Sequence, residues 1–270
     1  MNVGQHYAIL VGINAYVERP LLGCVEDVLE MRKYLNSLPF PFKTYLFTLM
    51  SSNATSSGHI IEHSDQWPTY EKVKSSLREI ANHANSGDSV LIHYSGHGTR
   101  MRASRDPTST YAGDVALTLV NGLKGDKIAY LRGLDLAHSI KGLVDKGVKV
   151  TLILDCCFSG GVSRHDGPET DNLSTTRFLD CDVGNDSVCS IDPENIFNDD
   201  VEPQTSSPRE ASMLPNWLIN PDGYSIFAAC GPHEKARERR FDGGPMRGVL
   251  SYFLLRCLRE LGWGSTQQVI

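Results

Sequence analysis

Four short apolar runs, residues 7–11, 89–94, 148–154 and 224–229, constrain this chain more than any other feature. Each is rich in Val, Ile and Leu and lacks polar alternation, the pattern of strands covered on both faces. Amphipathic stretches lie between them. One opens at Thr69, with Glu71 in its first turn and apolar Val73, Leu77, Ile80, Ala81 and Ala84 spaced along one helix face. Further helices are expected over residues 24–38, 134–143 and 248–261. Strand and helix in alternation predict an α/β fold, a mostly parallel sheet with helices on both faces.

The chain has 270 residues, enough for one large core. Its seven cysteines are odd in number and irregularly spaced, two are adjacent (Cys156 and Cys157), and none forms a CxxC pair. A disulfide framework and a zinc site are both disfavoured, and no metal ligands are assigned. The first six residues are polar, and no run of roughly 18 apolar residues occurs. The expectation is a cytoplasmic or nuclear protein with no membrane partner, whose cysteines are reduced. The net charge of −6 argues against a nucleic-acid partner. That charge is uneven: residues 161–210 hold twelve acidic residues against three arginines, a balance of −9, and the remaining 20 acidic and 23 basic residues leave the rest at +3. The stretch 161–221 is rich in Asp, Asn, Ser, Thr and Pro and is expected to lack helix and strand, as a linker or insertion does.

Two of the apolar runs end unusually. One continues into Tyr94-Ser95-Gly96-His97-Gly98, the other into Asp155-Cys156-Cys157-Phe158-Ser159-Gly160. In an open parallel sheet the crevice beyond the carboxyl ends of the strands is where ligands bind. A His and a Cys on glycine-bracketed turns there would form a thiol nucleophile and its base, because only the thiolate attacks and an imidazole takes its proton. The backbone N–H groups of Gly98 and Cys157 are candidate donors to a developing oxyanion. A buried cysteine is by itself more often filler than nucleophile, and the combination with the Gly-His-Gly turn shifts that balance.

These two motifs resemble those of the caspase/metacaspase family of cysteine peptidases, most nearly its fungal metacaspase-like members. Residues 8–16 (AILVGINAY), 22–27 (LGCVED) and 226–230 (IFAAC) support the likeness, which covers residues 5–160 well and 222–262 loosely. The resemblance implies a caspase-like three-layer sandwich in one domain, with a large portion (1–160), the acidic linker (161–221) and a small portion (222–270) that ends early. It implies His97 as general base and Cys157 as nucleophile, with Cys156 a packed neighbour. His93 lies inside its run and reads as a core histidine. The resemblance further implies a specificity pocket of Cys24, Asp27, Ser95 and Asp155, whose two carboxylates suit Lys or Arg before the scissile bond. Arg164, Arg177 and Arg209 in the linker then become candidate self-cleavage points.

Phe158 stands where many relatives have His. Many relatives require calcium, and here the acidic residues between the motifs (Asp106, Asp114, Asp126, Asp135) are scattered, so calcium activation stays open while the thiol chemistry itself needs no cofactor. The expected partners are peptide or protein substrates, acted on by a monomer. Cys157 and Arg164 are one residue too far apart for a phosphatase loop, and no Gly-x-Ser-x-Gly run exists. The alternative reading is a caspase-like module without activity, serving regulation or interaction.

Overall fold

The computed structural model describes residues 4–50, 63–100, 115–121, 127–158, 175–179, 223–231 and 234–266. In chain order the elements are β1 (His6–Ile13), α1 (Cys24–Asn36), β2 (Phe42–Leu49), α2 (Tyr70–His83), β3 (Ser89–Ser95), β4 (Gly98–Arg100), β5 (Val115–Asn121), β6 (Lys127–Arg132), α3 (Gly133–Asp145), β7 (Lys149–Asp155), β8 (Thr175–Thr176), β9 (Ser225–Ala228), β10 (Arg237–Arg240), β11 (Met246–Gly248) and α4 (Val249–Thr266). The central sheet runs β2-β1-β3-β7-β9 and is parallel throughout.

All four predicted strands and all four predicted helices are present, each within a few residues of its expected bounds. The side chains of the sheet divide between two cores. Ile9, Val11, Ile92, Tyr94, Leu152 and Leu154 pack under α2 and α3, while Ala8, Leu10, Leu91 and Ile153 pack under α1 and α4. This is the three-layer α/β/α arrangement, and it explains the uninterrupted apolar runs, since neither face of these strands meets water. Thr69 caps α2 as its sequence suggests, its side chain accepting the Lys72 N–H at 3.4 Å.

Three elements were not anticipated. β2 is an edge strand whose first half is only partly buried, so it lacks the dense apolar signal of its neighbours. The antiparallel sheet β4-β5-β6 and the small sheet β11-β10-β8 sit outside the parallel core. The second of these departs from the expectation of a linker without regular structure at residues 175–179, the part of 161–221 that is described. Thr175 and Thr176 pair with Glu238 and Arg237 as β8, and Arg177, Phe178 and Leu179 are buried. Composition misleads here because order comes from contacts with distant residues.

The strand register sets up the site. Gly12 on β1 faces Ser95 on β3, and Ser95 faces Asp155 on β7, so three motif-bearing strands end level with one another. A side chain at Gly12 would collide with the Cys24 carbonyl and with Val28, so glycine lets the start of α1 press against the same edge. Asn14, just past β1, caps that helix from outside: its side-chain oxygen accepts the N–H groups of Cys24 (2.9 Å) and Val25 (3.2 Å).

Candidate active site

Beyond the carboxyl ends of β1, β3 and β7, Cys24, Asp27, Ser95 and Asp155 come together, all fully buried. Ser95 Oγ donates to Asp27 Oδ2 at 2.8 Å. Two residues from the far end of the chain complete this pocket. Glu238 on β10 accepts the N–H groups of Leu22 (2.9 Å) and Gly23 (3.0 Å), and Arg247 on β11 donates from Nε to Asp27 Oδ1 at 2.7 Å. The Gly248 N–H also donates to Asp27, at 3.0 Å to Oδ2. A side chain at Gly248 would strike Asp155 and Arg177, so only glycine leaves the pocket its depth.

The pocket is filled by Arg177 of the linker. Its guanidinium, itself 0% exposed, pairs with Asp27 at 2.9 Å, Asp155 at 3.0 Å and Glu238 at 3.3 Å, and donates to Ser95 Oγ at 2.7 Å. Burial opposes charge on Arg177, but Asp155, Cys24, Asp27 and Glu238 outweigh it and hold the side chain protonated. Burial likewise raises Asp27, to about 6, against the lowering pull of Arg177 and Arg247. Three carboxylates facing Arg247 alone would be uncompensated, which is the physical reason this cavity demands a second cation.

The backbone around Arg177 is bound as closely as its side chain. Its carbonyl oxygen accepts the N–H of Gly98 at 3.1 Å and of Cys157 at 3.0 Å, the two donors expected for an oxyanion. Its own N–H donates to the Ala236 carbonyl at 3.1 Å, and the Leu179 N–H donates to the Gly98 carbonyl at 3.1 Å. Residues 175–179 therefore lie along the cleft as an added strand, with the Arg177–Phe178 peptide bond over the two motifs. A side chain at Gly98 would meet the Cys157 carbonyl, so the close approach of these two donors requires glycine.

His97 and Cys157 lie on the two turns that hold this bond, and no hydrogen bond joins them among the described residues. The Nε2 atom of His97 lies 2.7 Å from the Arg19 carbonyl, its ring packs on Tyr16 with centroids 4.5 Å apart, and Nδ1 has no hydrogen-bond partner among the described residues. The ring also lies against the backbone of Arg177, and burial lowers its pKa to about 4. Arg19 is one of two described non-glycine residues with positive φ, at 52°, which turns its carbonyl toward the imidazole. Tyr16 and Tyr94 brace the turn: Tyr16 Oη accepts the His97 N–H at 3.0 Å, and Tyr94 Oη donates to the His97 carbonyl at 2.6 Å. The Cys157 sulfur is directed to Ala236, accepting its N–H at 2.6 Å and donating to its carbonyl at 3.3 Å, and Cys230 packs beside it.

The residues singled out in the sequence thus converge, with exceptions. Arg164 and Arg209 lie outside the described residues, as do Asp106, Asp114 and Asp126. Asp135 opens α3, and among the described residues no three His, Cys, Asp or Glu side chains gather to hold a metal. Cys156 packs in the main core, His93 is buried with Nε2 3.0 Å from Ser251 Oγ, and Phe158 is buried beside Gly98. Glu238, Arg247, Cys230, Ala236 and Arg19 were missed. Glu238 had a faint signal as the acidic residue within Arg237-Glu238-Arg239-Arg240, an odd placement that becomes intelligible once it faces inward.

A sequence model of the family described as metacaspase, peptidase C14 domain matches residues 6–165. Metacaspase-4 of Arabidopsis thaliana is 32% identical over 159 residues, covering 57% of this chain and 34% of the relative. Metacaspase-5 of Trypanosoma cruzi is 29% identical over 160 residues, 59% of this chain and 34% of the relative. The matched part spans about a third of the length of these relatives. The crystal structure of protein GSU0716 from Geobacter sulfurreducens aligns over 94% of this chain and 82% of its own with a TM-score of 0.55 at 17% identity, a likeness of fold. No helix of the described residues is long and apolar enough to cross a membrane.

Proposed function

Because the chain belongs to the metacaspase, peptidase C14 family, we propose that it is a cysteine endopeptidase that cleaves after Arg or Lys and that holds its own Arg177–Phe178 bond in the cleft. The observation that carries this reading is the double seating of Arg177: guanidinium among Asp27, Asp155 and Glu238, and carbonyl oxygen between the N–H groups of Gly98 and Cys157. A structural arginine needs only the first of these. A residue about to be attacked needs both.

In the proposed mechanism the proton on His97 Nε2 is donated in a hydrogen bond to the Arg19 carbonyl, which leaves Nδ1 with its lone pair free to act as the base. Burial keeps this imidazole neutral at physiological pH. Cys157 rotates about its Cα–Cβ bond away from Ala236, loses its proton to Nδ1, and its sulfur bonds to the Arg177 carbonyl carbon. Negative charge then gathers on the oxygen already placed between Gly98 and Cys157, where donors fixed in advance act without reorganisation. His97 returns its proton to the departing nitrogen, leaving a thioacyl enzyme. A water activated by the same imidazole hydrolyses it. Nucleophile, base and oxyanion donors all come from the chain, so these steps draw on no cofactor.

The test is to incubate the purified chain beside its Cys157→Ala variant and to assay short fluorogenic peptides ending in Arg, Lys or Asp. The reading predicts fragments split at Arg177–Phe178 in the parent alone, and peptides ending in Arg or Lys turned over at least ~100-fold faster than those ending in Asp, because an Asp leaves buried pocket charges unpaired. Equal fragmentation of both proteins, or no turnover of any peptide, would instead support a module without activity.

A further inference from the structure

β7 and β9 are neighbours in the parallel sheet, with Leu154 opposite Ala228, and the Ala229 N–H donates to the Leu154 carbonyl at 2.9 Å to extend the pairing past the strand ends. Two cysteines follow past the strand ends: continued beyond Leu154 and Ala228, the register sets Cys230 opposite Cys156 and diagonal to Cys157. The side chains use that proximity. Both side chains pack in one small cluster with Ala229, Ala236 and Phe178. The Cys230 sulfur also donates to the Cys156 carbonyl at 3.4 Å, which fixes it above the end of β7.

We propose that Cys157 and Cys230 are a modification site: a peroxide joins them as a reversible disulfide, and the bond withdraws Cys157 from attack. That the bond forms follows from the placement of the sulfurs. That it silences the protein rests on Cys157 being the nucleophile of the proposed peptidase.

Chemistry and exposure set the order of events. Cys157 is fully buried while Cys230 is half-buried, so the oxidant meets Cys230 first. The neighbouring Cys157 lowers the Cys230 thiol against its burial, while Cys230 and burial raise the Cys157 thiol, so the first proton to leave the pair comes from Cys230. The Cys230 thiolate attacks a peroxide oxygen, the O–O bond breaks, hydroxide departs and a sulfenic acid forms. The Cys157 sulfur then attacks the Cys230 sulfur, the S–O bond breaks, and the Cys157 proton leaves with the oxygen as water. In sum two thiols and one hydrogen peroxide give one disulfide and two waters. A dithiol reductant reverses the step.

Other pairings fit less well. The Cys156 sulfur is held in the main core, Cys24 lies in the specificity pocket, and Cys257 is exposed on α4. Cys230 also protects. A sulfenic acid with a partner within reach stops at the disulfide, whereas an isolated one proceeds to sulfinic acid, which thiols do not reduce.

The test treats the chain with graded hydrogen peroxide, alkylates the remaining thiols, and identifies linked peptides by mass spectrometry without reduction. The expected product is a peptide pair joining Cys157 to Cys230, absent from Cys230→Ser and Cys230→Ala and still formed in Cys156→Ser. After dithiothreitol the parent recovers most of its peptide turnover, and the Cys230 variants recover less than a tenth. A Cys156–Cys157 link, no link at Cys157, or equal recovery in the Cys230 variants would overturn the proposal. The linked peptides are read without any turnover, so their presence in an inactive protein would break the peptidase reading alone, and their absence in an active one this inference alone.

Discussion

The strand β7, which leads into Cys157, and the linker segment 175–179 meet in one cleft, yet their order has different origins. β7 is buried from Val150 to Asp155 and would be recognised as a strand in any context that offered it a partner. The linker segment is embedded in residues carrying −9, and its only apolar residues, Phe178 and Leu179, are buried beside the cleft without forming a periodic pattern. It is ordered because one guanidinium finds three carboxylates and because its backbone finds β10, Gly98 and Cys157. Order that comes from apolar burial is lost only with the fold. Order that comes from a few docked residues can be withdrawn while the fold remains.

The sharpest way to break this comparison is to remove the two arginines in turn. Arg247→Met strips Asp27 of a partner inside the body, where the pocket cannot open, and a loss of about 3–5 kcal/mol is expected. Thermal unfolding should show it as a clear fall in Tm. Arg177→Met removes the same charge from the linker, and the linker can swing out and admit water. Its Tm should change far less, while the amides of residues 175–179 lose hydrogen-exchange protection. Equal falls in Tm would mean that the linker is as integral to the fold as β11.

Gly98→Ala sharpens the contrast from the catalytic side. The added methyl must displace the Cys157 backbone, and the loss of one aligned oxyanion donor should lower kcat by about 100- to 1000-fold. Steady-state assay on an Arg peptide measures this, and self-cleavage at Arg177 should slow in parallel because both substrates use the same donors.

A pH series separates pocket from dyad. The guanidinium of Arg177 lowers the Asp27 pKa against the larger effect of burial, so emptying the pocket moves it up from about 6, and binding of an Arg substrate favours the ionised carboxylate. Affinity is therefore retained above that value and falls as pH drops through it, by up to about tenfold per unit. His97 protonates only near 4. As pH falls from neutral to about 6, KM should rise, and it should level off below that, while kcat holds until His97 protonates. Asp27→Asn should flatten the KM profile at a uniformly high value.

The smallest expected effect is a control far from the cleft. Thr69→Ala removes the side-chain cap of α2 and should cost about 1 kcal/mol, a few degrees in Tm, with peptide turnover unchanged.

Much of this was legible in the chain because strong local signals and tertiary need agreed. The apolar runs at Ile9, Ile92 and Leu152 specify doubly covered strands, and the Gly-His-Gly and Asp-Cys-Cys turns stand at their ends. β2 escaped notice because an edge strand buries only part of itself. Arg19 escaped because its contribution is a backbone carbonyl at φ 52°, which no side chain announces. Glu238 and Arg247 sit on short strands that gain meaning only beside Asp27, more than two hundred residues earlier.

By itself the sequence determined the parallel α/β body and singled out His97, Cys157, Cys24, Asp27, Ser95 and Asp155 as candidates at its strand ends, because hydrophobic periodicity and strand-end motifs are local properties. It also supplied Arg177 and the carboxylates as separate features. Only the tertiary structure decided that they meet, that the linker lies along the cleft with its carbonyl between two N–H donors, and that Cys157 rests against Cys230 instead of His97. Pairings of that kind depend on register between distant strands, and a chain written in one dimension does not carry the distance between them.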